Sequence, residues 1–477
     1  MAVSTNPTAG TRRGEGPRLG AKLRLLRRRE GLTQQLLAER LKISPAYLNL
    51  IENGKRPLPA HLLIALAQIF QLELAAFAAD DDAQLQSDLL EVFGDPLFDS
   101  AELVSADIKE LAHAQPAVAR AILSLYRAWQ TSRGVEDAAV SAEGTVPSEE
   151  VSDFLQRHMN YFPELEELAE RVRRDARMQD DDLTRGLVRW LDDKQGIKVE
   201  VARASRDATV LRRFDVDDKR LTVSELLPPR SRNFQLAHQI CLITGRDFLD
   251  RVTRDDALTT DESRKLARVA LANYFAGAVQ MPYTPFIEAA ENLRYDIELL
   301  GHRFRNSFEQ VCHRLTTLRR PGAEGVPFHL IRVDIAGNIS KRFSGSGIRF
   351  ARFAGACPRW NVFSAFLTPG TIQTQVSEMP DGSRFFCISS TLKKSSVGYS
   401  PHRPPLAIGL GCRVEQAKKL VYADGVDLGH VVEVGVTCRL CERMGCSERA
   451  FPAVRAPLHI DENVRSVNFY ASPLRIL

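Results

Sequence analysis

The stretch "FQLAHQICLI", residues 234–243, decides how the middle of this 477-residue chain is read. It reads as a helix with one histidine, His238, set among apolar residues. A helix that holds a catalytic zinc presents two histidines four residues apart, with a glutamate after the first. Here Gln239 stands at the glutamate position and Leu242 at that of the second histidine. An amide cannot take a proton from water at neutral pH, and leucine cannot ligate zinc. A lone imidazole between apolar neighbours reads as a hydrogen-bonded core histidine.

The whole chain bounds the setting. Its length exceeds what one core supports, so about three domains are expected. With 44% hydrophobic and 26% charged residues the composition is globular. No run of eighteen apolar residues is present, so neither a membrane span nor a membrane partner is expected, and a cytoplasmic location is. Residues 1–18 have no apolar core segment of the secretory kind and read as a disordered leader. The net charge of +4 hides an asymmetry: residues 1–56 hold twelve Lys/Arg against four acids. Residues 73–115 reverse the balance, with Asp80, Asp81 and Asp82 adjacent. A basic first module predicts a polyanionic partner.

Residues 19–80 supply that module. Leu23, Leu25 and Leu26 line a first helix, Thr33 caps a second, and Ser44 caps a third with Pro45 at its first position. Two short helices across a tight turn form a helix-turn-helix. The stretch "GLTQQLLAERLKISPAYLNLIENGKRPLP" resembles the phage-repressor-like class. That resemblance implies that Pro45, Ala46, Asn49 and Leu50 face the major groove of a double-stranded operator. It also implies that Gln34, Asn53, Lys55 and Arg56 meet phosphates. One such module reads a half-site, so a homodimer or higher homo-oligomer is expected.

Residues 81–150 read as a helical connector ending in the linker-like "TSRGVEDAAVSAEGTVPSEE". From 151 to 320 helices alternate with short strands, and a long helical stretch covers 290–320. "RNFQLAHQI" followed by "ALANYFAGAVQMP" resembles the domain of zinc peptidases that cleave repressors in stress responses. In that family an acidic ligand precedes the Ala-Asn pair, and here the position is Leu271. The resemblance implies an α+β peptidase fold without its metal site, hence no enzyme.

Residues 321–477 alternate as strands and read as an α+β ligand-sensing domain, making the chain multidomain with an all-α head. "CRLCERMGC" places Cys438, Cys441 and Cys446 at C-x2-C-x4-C spacing. Thiolates this close converge on one ion or an iron–sulfur cluster, with zinc the alternative. A fourth ligand would come from Cys357, with Cys412, His430 and His459 as further candidates, while Cys241, Cys312 and Cys387 read as plain buried thiols. With the tail segments "ACPRWNVFSAF" and "GLGC", this order of parts resembles bacterial regulators of short-chain fatty acyl metabolism. The resemblance implies an acyl-CoA effector that modulates DNA binding at propionate, acetate or glyoxylate genes, and a cluster in at least one branch. Coenzyme A is polyanionic with an apolar end, so basic residues beside aromatics are expected to hold it. Arg349, Arg352, Arg359 and Trp360 satisfy that, as do Phe363, Lys393 and Lys394. Two other functions compete: an iron–sulfur redox-sensing transcription factor, and a zinc peptidase acting on a repressor.

Overall fold

The computed structural model describes residues 23, 27, 32–52, 56, 59, 62, 65–66, 81–98, 105–133, 147–176, 182–203, 210–352, 356–392, 405–443, 445–453, 468 and 470. The expected leader lies outside them, as do residues 134–146 of the expected linker. The chain divides into two compact units, 1–84 and 85–477.

In the first unit, α1 (Gln34–Arg40) and α2 (Pro45–Glu52) begin where their caps predict. Thr33 Oγ1 accepts the Leu36 N–H at 3.2 Å, and Ser44 Oγ accepts that of Tyr47 at 3.1 Å. Each such cap stabilises its helix by about 1 kcal/mol. Leu23, Leu37, Ala38, Leu41, Leu48, Ile51, Leu62 and Leu66 form the core. Arg27 and Glu52 pair at its edge, Nε to Oε1 at 2.6 Å.

α3 (Asp81–Val92) leads into the second unit, where α4 (Ser105–Ala114) and α5 (Pro116–Arg133) pack on its Leu85, Leu89 and Val92. Next come α6 (Pro147–Arg157), α7 (Pro163–Asp175) and α8 (Leu183–Gln195). A small sheet follows, of β1 (Lys198–Ala202), β2 (Arg212–Asp215) and β3 (Arg220–Ser224), in order β1-β3-β2 with β1 and β3 parallel. α9 (Pro229–Thr244), α10 (Arg246–Val252) and α11 (Asp261–Gln280) complete this layer. α9 and α11 bury their facing sides in one core with Phe154, Leu165, Leu187 and Leu191.

The long helical stretch expected over 290–320 is broken into separate pieces. α12 (Tyr283–Asn292), α13 (Ile297–Arg303) and α14 (Phe308–Leu315) are separated by left-handed residues, Arg294 (φ 50°) and Tyr295 (φ 59°) first, then Arg305 (φ 53°). The physical reason is capping: Asp296 accepts the Leu299 N–H at 2.9 Å, and Ser307 forms a capping box with Gln310. Arg314 on α14 reaches back to α7, its guanidinium on both Glu166 oxygens at 2.6 and 2.9 Å. Tyr274 donates to the same carboxylate at 2.6 Å.

After the hairpin of β4 (Arg319–Arg320) and β5 (Ala323–Glu324), a six-stranded sheet follows. It comprises β6 (His329–Asp334), β7 (Ile339–Ser344), β8 (Gln373–Glu378), β9 (Arg384–Thr391), β10 (Leu406–Arg413) and β11 (Val432–Glu433). The order is β11-β8-β9-β10-β6-β7, antiparallel except for β11 against β8. Both faces are covered, which is why "RFFCISST" and "LAIGLGCR" are apolar at successive positions. Leu330, Phe386 and Ile408 face the core shared with α12–α14. Their neighbours Ile331, Phe385 and Ala407 face a second core under α15 (Asn361–Ser364). Gly411 has no side chain because a Cβ there would lie 2.5 Å from His329 Nε2. Among the described residues no helix is long and apolar enough to cross a membrane.

Candidate functional site

α2 turns Leu48 and Ile51 inward and leaves Pro45, Ala46, Asn49 and Leu50 exposed. Gln34, at the start of α1, donates to Glu52 Oε2 at 2.7 Å and to Asn49 Oδ1 at 3.3 Å, joining the two helix faces. Arg56 is exposed, while Asn53 and Lys55 lie outside the described residues.

On α9, His238 is 3% exposed and its Nδ1 stands 2.9 Å from Asn273 Oδ1 on α11. The other ring nitrogen is buried with no hydrogen-bond partner among the described residues. Burial lowers the His238 pKa to about 4, with the Arg212 charge adding to the effect. Leu271 is fully buried in the same core, Leu242 packs against it, and Gln239 is 6% exposed. Where the peptidase pattern would place ligands, apolar groups interdigitate around one neutral imidazole.

The cysteines separate into two classes. Cys357 is bound to the cysteine turn through the Ala356–Thr437 bridge and through its N–H to Val436 O at 3.1 Å. Burial raises the Cys357 thiol pKa, and the neighbouring Cys438 and Cys441 raise it further. The turn wraps a buried guanidinium: Arg449 donates to the carbonyls of Cys438 at 2.6 Å, Cys441 at 2.8 Å and Arg443 at 2.9 Å. Cys446 is half-buried, and its carbonyl accepts the Arg449 N–H at 3.4 Å. Cys412 belongs elsewhere, correcting its candidacy. It sits on β10 opposite Phe386, in the core on the other face of the sheet from Cys357. Burial pushes the thiols of Cys241 and Cys387 up to about 12, and those of Cys312 and Cys412 well above the ordinary range. His430 lines a shallow cleft beside Gln375 and Asp427, and His459 lies outside the described residues. Among the described residues, no three His, Cys, Asp or Glu side chains are grouped to hold a metal ion.

The basic and aromatic residues expected around coenzyme A are dispersed. The Arg352 guanidinium is 7% exposed and committed to Asp88 and Asp153. Arg359 pairs with Glu448 at 2.8 Å, and Trp360 packs edge-on against Phe350 inside the second sheet core, with Phe363 beside it. Arg349 is half-buried near that core, and Lys393 and Lys394 lie outside the described residues.

A cleft of about 780 Å³ lies instead between the start of α9, the end of α11 and the α13–α14 corner. Arg230, His302, Arg303 and Arg305 supply its basic groups, and Ile297, Phe304 and Phe308 its apolar ones. Asn306 is 7% exposed at its wall, with Oδ1 lacking a partner among the described residues. The signal in the sequence was "HRFRNSF", where basic residues flank an aromatic.

Comparison with known proteins bears on all three parts. Family models match a helix-turn-helix domain at residues 18–79, an IrrE N-terminal-like domain at 192–316, and the C-terminal domain of the short-chain fatty acyl coenzyme A regulators at 317–470. Two regulators of Mycobacterium tuberculosis align over 95% of the chain. The HTH-type transcriptional regulator PrpR is 40% identical, with 95% of its length covered. The HTH-type transcriptional regulator RamB is 37% identical, with 98% covered.

The chain belongs to the short-chain fatty acyl coenzyme A regulator family.

A propionyl-CoA carboxylase regulator of Cereibacter sphaeroides is a further relative, 40% identical over 94% of this chain and 97% of its own. A solved Mycobacterium tuberculosis transcriptional regulator superposes with a TM-score of 0.66 at 43% identity, covering 69% of this chain and 100% of that one. This family member is a helix-turn-helix transcriptional regulator.

Proposed function

We propose that this regulator is a cytoplasmic, non-enzymatic DNA-binding protein whose operator affinity is set by a short-chain acyl-CoA, at genes of propionate, acetate or glyoxylate metabolism. The operator is read by Pro45, Ala46, Asn49 and Leu50, with Gln34, Asn53, Lys55 and Arg56 on phosphates, in a homodimer or larger homo-oligomer. The observation that carries the effector reading is the cleft at the α13–α14 corner. It sets three arginines and His302 against one acid, Glu298, beside an apolar wall that includes Ile297, Phe304 and Phe308, and the buried Asn306 Oδ1 has no partner among the described residues. Phosphates of coenzyme A suit the arginines, and the acyl end suits the apolar wall. Isothermal titration of the full-length protein with propionyl-CoA tests it. Replacing Arg303 and Arg305 together with Ala is expected to weaken binding at least tenfold, and unchanged affinity would discard the cleft.

The C-x2-C-x4-C spacing supports a thiophilic group at the cysteine turn. Cys438 and Cys441 lie within one turn, Cys357 is tied to it by backbone, and Cys446 follows five residues after Cys441. When bound, an iron–sulfur cluster would supply a redox-sensitive input, and zinc a structural staple. The chain's own contribution is the Arg449 cation, which holds the two cysteine carbonyls in place.

A further inference from the structure

α3 follows the DNA-reading head in the chain, and it carries two nearly buried carboxylates, Asp88 and Glu91. Both meet one residue of the C-terminal region. Arg352 Nε stands 3.1 Å from Asp88 Oδ1, and the Arg352 backbone N–H donates to both Glu91 oxygens at 3.0 and 2.9 Å. The same guanidinium grips Asp153 on α6, Nη1 to Oδ2 at 3.0 Å, with Nη2 on Oδ1. A guanidinium withdrawn from water needs partners for its charge and its N–H groups, and here carboxylates on α3 and α6 supply them.

A second contact comes from the cysteine turn. Leu440 lies between Cys438 and Cys441, and a Cβ on Gly94 would come within 2.8 Å of Leu440 Cδ2. Gly94 closes α3, its N–H on Leu90 O at 3.1 Å. A side chain here would displace the tip of Leu440. The Leu440 contact arises within the cysteine turn itself, and Arg352 precedes Cys357 by five residues in the chain.

We propose that Arg352 and Leu440 are positioning residues that fasten α3 to the C-terminal region, Leu440 from within the cysteine turn, so that a rearrangement of that turn is conveyed to α3, which follows the reading head in the chain. α3 is held near its C-terminal end by both contacts, and an element fixed in this way responds when its contacts move. The inference rests on the DNA-binding function and needs neither acyl-CoA nor a metal.

The test uses full-length protein without ligand and a duplex selected from random sequence by the wild type. Arg352→Gln removes the shared cation, Gly94→Ala pushes Leu440 aside without changing charge, and Arg359→Gln is the control. Amide exchange across residues 85–94 is expected to quicken about tenfold in both variants, with α9 and α11 unchanged. Affinity for the duplex is expected to change about tenfold with it, while the control matches wild type. Should Arg352→Gln fail to fold, Gly94→Ala decides, together with Arg352→Lys, which keeps the charge and loses the fork. Wild-type exchange and affinity in Gly94→Ala would overturn the proposal. Quickened exchange with wild-type affinity would overturn it too, since the contact would then be structural only. Failure of propionyl-CoA to bind the wild type would remove the effector reading and leave this one standing.

Discussion

The α9–α11 pair and the cysteine turn both invite a metal reading, and their surroundings separate them. His238 sits on a helix packed into the core that holds Leu271 and Leu242, with one amide partner, Asn273, and the Arg212 charge nearby. At the turn, Cys438 and Cys441 neighbour Cys357 and turn their carbonyls onto the buried Arg449 guanidinium. A donor atom in a sealed apolar core is a packing element, whereas donors held together by polar groups keep their chemistry. The α9–α11 pair is therefore a packing element, and the turn is where the proposed metal is to be tested.

The comparison is broken most directly at the thiols. Replacing Cys438 and Cys441 together with Ser is expected to abolish bound metal in protein purified without oxygen. Iron, sulfide and zinc analysis reads this directly, and retained stoichiometric metal would place the site elsewhere. In the α9–α11 core the corresponding blow is to folding. Leu271→Ala is expected to cost about 2–5 kcal/mol in urea unfolding with metal content unchanged.

His238 sharpens the same contrast through pH. Its folded pKa of about 4 lies below the ordinary value of 6.5, so between the two the unfolded chain binds the extra proton. The group's stabilisation is therefore fully present above about pH 6.5 and is lost as pH falls toward 4. His238→Gln is expected to remove about 2 kcal/mol of the stability difference between pH 7 and pH 5. An unaltered pH dependence would show that the imidazole is already charged or exposed. The smallest effect is at the reading face: Asn49→Ala is expected to weaken operator binding about tenfold and relax preference at one base position. Intact affinity and preference would move the recognition surface off α2.

Local rules carried much of the architecture. Thr33 and Ser44 announce α1 and α2 because a cap is a contact between residues three apart. The apolar runs at β9 and β10 are legible because each strand sees a core on both faces. Asp296 and Ser307 also announce their helices, yet the continuous helical pattern of 290–320 masks the breaks they impose. Arg352 shows the opposite limit: a basic residue near an aromatic reads as a phosphate ligand until its partners appear, 264 and 199 positions earlier in the chain. Cys412 looked available because a cysteine's face of a sheet depends on which strands pair beside it.

What the residues alone determined is therefore what lies within a turn or a period: the reading head, the loss of a zinc-peptidase pattern, and the C-x2-C-x4-C cluster. Tertiary structure decided what long-range contact decides. It seals His238 in a core, ties Cys357 to a turn some eighty residues on, spends Arg352 on buried carboxylates, and gathers Arg230 with Arg303 and Arg305 around one cleft. The reason is physical: backbone caps and periodicities are satisfied by neighbours in sequence, whereas a buried charge or a cleft is defined by partners that only folding brings together.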